Sequence, residues 1–168
     1  EKTNMAIAKF THSGSQIIDW TPEGSNAKSR NLYTQFIAFV EKNMSDLEAM
    51  GHRVELAGIF YHLGENDMSF SPYKHEAISR MKALVDGSRQ DLGMRDLKWF
   101  VSHQPPTIFE GAAEVDISSQ LKGWSQGSPN NLHVQALELL PPQEHILMDS
   151  TGVIKLGLLL ADAYLGQR

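Results

Sequence analysis

The sequence contains no cysteine. That removes disulfides, a thiolate nucleophile and cysteine-type zinc sites, and it leaves the redox compartment open. There is no excess of positive charge: 15 Lys and Arg stand against 20 Asp and Glu, a formal net charge of −5. A surface that tracks a phosphate backbone is therefore not expected, and nucleic acid is set aside as a partner. No apolar run approaches the ~20 residues of a membrane-spanning helix. The seven histidines show no His-x-His or His-x-x-x-His spacing, so no metal is expected, even with His12 and His62 as two imaginable ligands. An initiating Met and a signal-like segment are also lacking: the chain opens on Glu1-Lys2, which fits a processed product, a trimmed chain or a fragment. What is present is a 168-residue chain, 41% apolar and 21% charged. That is enough for one domain, residues 1–168, burying roughly 70% of its unfolded surface.

Two apolar periodicities alternate along the chain. Short apolar runs predict strands at 5–10, 54–62, 97–102 and 131–137. Leu32, Tyr33, Phe36, Ile37, Val40, Met44 and Leu47 recur at helical spacing and predict a helix over 30–50 that Gly51 ends. Ser71-Pro72 opens a second helix, over 73–92, whose apolar face is Ile78, Met81, Leu84 and Val85 and whose end is Gly93. A short helix is expected within 111–124, and Val153, Leu156, Leu160, Ala163 and Tyr164 give a last one over 152–165. Strands alternating with helices predict an α/β fold whose parallel sheet is covered on both faces. In such sheets function gathers beyond the carboxyl ends of the strands, here the loops 11–20, 64–71 and 103–107.

Two of those loops carry chemistry. Gly64-Glu65-Asn66-Asp67 sits between a strand and a helix, where a side-chain amide can donate to a developing oxyanion. Turn chemistry explains the same four residues. Ser13-Gly14-Ser15, leading to Asp19-Trp20, offers a backbone N–H to an anion or is an ordinary glycine turn.

Taken together, these segments resemble a family. Ser13-Gly14-Ser15-Gln16-Ile17-Ile18-Asp19-Trp20 is similar to the Gly-Gly-Thr-Ser-Ile-x-x-Trp segment of the SGNH (GDSL-type) hydrolases, in their sialate O-acetylesterase and acetylxylan-esterase-like branch. Gly58-Ile59-Phe60-Tyr61-His62-Leu63-Gly64-Glu65-Asn66-Asp67 resembles its Gly-x-x-Trp-x-Gln-Gly-Glu-Ser/Asn-Asp segment. Leu156-Gly157 with Ala161-Asp162-Ala163-Tyr164 resembles its terminal helix. The resemblance implies a three-layer α/β/α sandwich with a parallel, flavodoxin-like sheet and a serine esterase site. It places Gly14 and Asn66 in the oxyanion hole. Ser13, Ser15, Trp20, Glu65 (as a loop-ordering group) and Asp67 then line the pocket, and His103, which ends a strand in Ser102-His103-Gln104-Pro105-Pro106, is expected beside them in the cleft, its imidazole suiting chemistry near neutral pH. The implied substrate is an acetylated carbohydrate or another small ester, with no cofactor, and the implied setting is secreted or periplasmic.

The chain also departs from the pattern. The family's serine lies in a Gly-Gln-Ser-Asn-like block upstream of the Gly-Gly-Thr segment, and no such block occurs in this chain. The family's Gln before Gly-Glu is Leu63. Its Asp-x-x-His falls on Glu144 and Leu147, with His145 two residues early. His145 is the remaining candidate base, its imidazole suiting base work near neutral pH. His52, His75 and His133 read as surface or helix-end residues. The missing block corresponds to a central strand between 5–10 and 54–62. Those two strands then pair directly, a second polypeptide supplies the strand, or the residues belong to a longer chain. The alternative to an esterase is a degenerate relative that binds carbohydrate or a partner.

Overall fold

A computed structural model describes residues 4–26, 30–69, 71–103, 116–136 and 148–167. It is an α/β fold. Three parallel strands, β1 (Ile59–Leu63), β2 (Trp99–His103) and β3 (Asn131–His133), lie in the order β1-β2-β3. The register sets Ile59 beside Trp99 and Trp99 beside Asn131. The helices are α1 (Leu32–Ala49), α2 (Glu65–Ser69), α3 (Ser71–Asp91), α4 (Ile117–Gln126) and α5 (Ser150–Leu165), with a 3-10 turn at Ile17–Trp20.

Period-two alternation sends Tyr61, Leu63, Trp99 and Val101 to one face of the sheet. There they meet Leu32, Phe36 and Val40 of α1, Ile78, Met81, Leu84 and Val85 of α3, and Ile117, Leu121 and Trp124 of α4 in one buried cluster. These helix positions recur at three and four residues, so each helix turns one apolar stripe to the strands. On the opposite face Phe60 stacks on Phe100 at 4.8 Å, and both rings meet Tyr164 of α5 edge-on. The sheet is thus covered by helices on both sides, as the alternation of periods predicts.

Local signals fix the helix ends. Past α1, Gly51 N–H donates to Glu48 O and His52 N–H to Leu47 O. Past α3, Gly93 and Met94 repeat the arrangement onto Gln90 and Arg89. Both glycines have positive φ, 88° and 67°, the left-handed conformation this cap requires. Asp116 caps α4 through Ser119 N–H and Asp149 caps α5 through Gly152 N–H. Arg89 locks the amino ends of the strands. Its guanidinium donates to Leu97 O, Asn130 O and Asn131 Oδ1, all within 3.0 Å.

Several expectations need correction. Residues 5–10 form no strand; Met5 and Ile7 are 62% and 91% exposed. An apolar run becomes a buried strand only where a ladder partner lies beside it, and among the described residues none does. The sheet therefore has three strands where four are predicted, and 5–10 does not pair with β1. The other strands are shorter than predicted, and residue 137 lies outside the described residues. Gly64 to Asp67 is a loop in the prediction, but Glu65 opens a short helix. The helix expected within 111–124 is α4, shifted toward the carboxyl end; 104–115 lie outside the described residues. No helix among the described residues is long and apolar enough to cross a membrane.

Candidate active site

The carboxyl end of β1 runs through Gly64 into α2, and against that corner lies the loop from His12 to Trp20. The loop is stitched from within. Ser15 Oγ donates to His12 O at 2.9 Å and accepts from Trp20 Nε1 at 3.1 Å. Gln16 N–H donates to Asp19 Oδ2 at 2.9 Å. Gly14 turns the chain with φ 67°, a conformation that a Cβ would strain.

Two contacts join the loop to the corner. Asn66 Nδ2 donates to Ser15 O at 3.3 Å, and Ile17 N–H donates to both oxygens of Asp67 at 3.0 Å. Gly14 and Asn66 therefore belong to segments that touch, although 52 positions separate them. Ser13 is exposed, Ser15 and Asn66 are half-buried, and Trp20 and Asp67 are buried. The Trp20 ring packs into the core edge-on to Phe10, Phe36 and Tyr61. Glu65 begins α2. Tyr61 lies beneath. Burial pushes its hydroxyl pKa well up, with the charges of Asp67 and Asp19 adding to the effect, so the phenol stays protonated.

His103 is 2% exposed at the end of β2. Its Nε2 is 3.0 Å from Ser118 Oγ on α4, and its ring stacks on His133 at 5.9 Å. His133 lies half-buried on β3, not at a surface or helix end, because the register sets it beside Val101. Leu63 is fully buried within the core. His145, Glu144 and Leu147 lie outside the described residues.

Sequence reasoning missed two groups. Arg30 reaches back over the loop, donating from Nη1 to Gly14 O at 3.1 Å and standing 3.8 Å from the buried carboxylate of Asp19. Nothing local to Arg30 signals a contact 16 residues away. Ser102 and His62 are register partners on β2 and β1, and their side chains meet at 2.8 Å between Oγ and Nδ1. Pairing the two strands in register would have found them. Ser102 has no exposed surface, so this serine braces His62 and does not face a substrate. Burial pushes the His62 imidazole down to about 4, with His103 adding to the effect, and His133 is lowered to about 4 by the same two causes. Among the described residues no three His, Asp or Glu side chains gather as a metal site requires.

No curated protein matches the chain. Among solved structures the chain is similar to a protein of Arabidopsis thaliana, with a TM-score of 0.62 at 20% identity, over 91% of this chain and 57% of that one. At this identity the likeness speaks for the fold alone, and the chain spans 57% of that protein's length. Residues 1–166 match the family described as carbohydrate esterase, sialic acid-specific acetylesterase, and the chain belongs to that family.

Proposed function

We propose that the chain carries the oxyanion loops of a carbohydrate O-acetylesterase with an SGNH-type serine site. In this reading a serine Oγ attacks the acetyl carbonyl carbon as a histidine takes its proton. The oxyanion forms beside Gly14 N–H and Asn66 Nδ2, and the sugar oxygen leaves with a proton from a histidine. Water then cleaves the acyl-serine, releasing acetate and restoring the hydroxyl. His145 is the base by its place in the resemblance, and Glu65 orders the loop. The single observation carrying the reading is the Asn66 Nδ2 to Ser15 O contact at 3.3 Å, which joins the two oxyanion segments. The serine would arrive on a strand outside this 168-residue domain, supplied by further sequence or a second polypeptide. The unpaired edge of β1 suits such a strand, since no described strand lies along it.

The buried Leu63, where the resembled branch has a glutamine, favours a second reading, a relative that binds acetylated carbohydrate without cleaving it. Acetate release from O-acetylated sialic acid or a chromogenic acetyl ester separates the two. The esterase reading expects Asn66→Ala to lower kcat about 10²–10³-fold with little change in thermal midpoint. An unchanged kcat would make Asn66 a turn residue only. Binding of the acetylated sugar with no acetate released, in protein that includes the serine-bearing strand, would favour the second reading.

A further inference from the structure

We infer that Asp67 is a positioning residue of this site: its buried carboxylate clamps the Gly14 loop to the Asn66 turn and so sets the spacing of the two oxyanion donors. The inference rests on the esterase reading above. Asp67 is 2% exposed. A carboxylate withdrawn from water to that extent is strongly disfavoured unless donors surround it, and one donor is Ile17 N–H, 3.0 Å from each oxygen. Ile17 is the first residue of the 3-10 turn, so its N–H has no partner within the turn. Its acceptor must come from outside, and it comes from 50 residues along the chain.

The neighbouring contact shows why this matters. Asn66 also touches the loop, but at 3.3 Å and only partly buried. That bond is at the long end of the range for an amide donor. If Asn66 swings its amide toward an oxyanion, it weakens or releases Ser15 O. The loop then keeps its place only if another tie holds it. A charge-assisted bond to a backbone N–H is about twice as strong as a neutral one, and Asp67 provides that tie from the adjacent position of the same short helix, α2. One residue therefore holds the loop while its neighbour is free to work. A donor misplaced by about 1 Å costs roughly 10²-fold in rate, which sets the scale of the effect.

The test has a spectroscopic arm and a kinetic arm. In the isotope-labelled chain, Asp67→Asn removes the charge and keeps one acceptor oxygen. The amide resonance of Ile17 should move upfield, and those of Gly14, Ser15 and the Asn66 side chain should move with it. Asp67→Glu, which keeps the charge and moves it by one methylene, reads the same coupling in a second variant, so an Asp67→Asn chain that fails to fold leaves the arm intact. In acetyl-ester hydrolysis Asp67→Asn should lower kcat about 10–100-fold while KM changes little. Arg89→Met, which destabilises the far end of the sheet, should leave kcat in place and so separates positioning from mere stability. Resonance changes confined to Ile17, or an unchanged kcat in Asp67→Asn, would overturn the inference. The kinetic arm is run with the serine-bearing strand in place; if that assembled protein hydrolyses no acetyl ester, the esterase reading falls, and the resonances of Gly14 and Asn66 alone decide whether Asp67 couples the loops.

Discussion

Acidification below about pH 6.5 should destabilise the fold through His62. The imidazole is held down to about 4 from an ordinary 6.5 by burial, with His103 adding to it. Its Nδ1 is tied to Ser102 Oγ, and its Nε2 is buried with no partner among the described residues. The unfolded chain therefore takes up a proton as the pH falls through 6.5, while the native chain resists until about 4. Because the unfolded state binds more protons in that window, stability falls as pH falls. Between about pH 7 and about pH 5 the loss works out at about 2 kcal/mol for this one group, approaching about 3 kcal/mol below the native value. His133, lowered to about 4 by the same two causes, moves the same way. Urea unfolding followed by tryptophan fluorescence at stepped pH measures the slope, and Trp20, Trp99 and Trp124 all lie in the core. His62→Gln, polar and without a proton to gain, should flatten the slope by about that amount. If the substituted chain loses stability with acid as steeply as the original, His62 is not the group responsible and the reasoning fails.

Arg89→Met should cost about 3 kcal/mol in chemical denaturation, because it strips charged donors from Leu97 O, Asn130 O and Asn131 Oδ1 and leaves their acceptors short of partners. Gly93→Ala should cost about 1 kcal/mol by the same measurement. A Cβ there meets nothing within 4 Å, so the whole effect is the strain of a left-handed alanine; a neutral result would mean the cap re-forms in another conformation.

The α/β layout was legible because its helices announce themselves. Phe36 and Val40, or Ile78, Met81 and Val85, repeat at the helical period, and Gly51 and Gly93 mark the stops. The strands were less legible. Met5 to Phe10 is apolar but for Lys9, and Trp99 to Val101 is apolar throughout, yet only the second has neighbours to complete a ladder, and a partner in space leaves no trace in a local run. The two loops of the candidate site were visible as Ser13-Gly14-Ser15 and Gly64-Glu65-Asn66-Asp67. Their ties were not, because Ile17 to Asp67, Arg30 to Gly14 and His62 to Ser102 join residues that only the folded register brings together.

The unpaired side of β1 has a consequence of its own. Ile59 N–H already donates to Lys98 O, and in a parallel ladder alternate residues turn their backbone groups the same way. Ile59, Tyr61 and Leu63 thus face β2, and only Phe60 and His62 present N–H and C=O groups outward. A chain laid along that side finds two rungs and no more. It can shift along them in steps of two residues, each about 6.6 Å, since a step of one would turn its side chains to the wrong face. The edge therefore acts as a coarse ruler: it decides in discrete steps how far beyond Gly64 any incoming side chain stands.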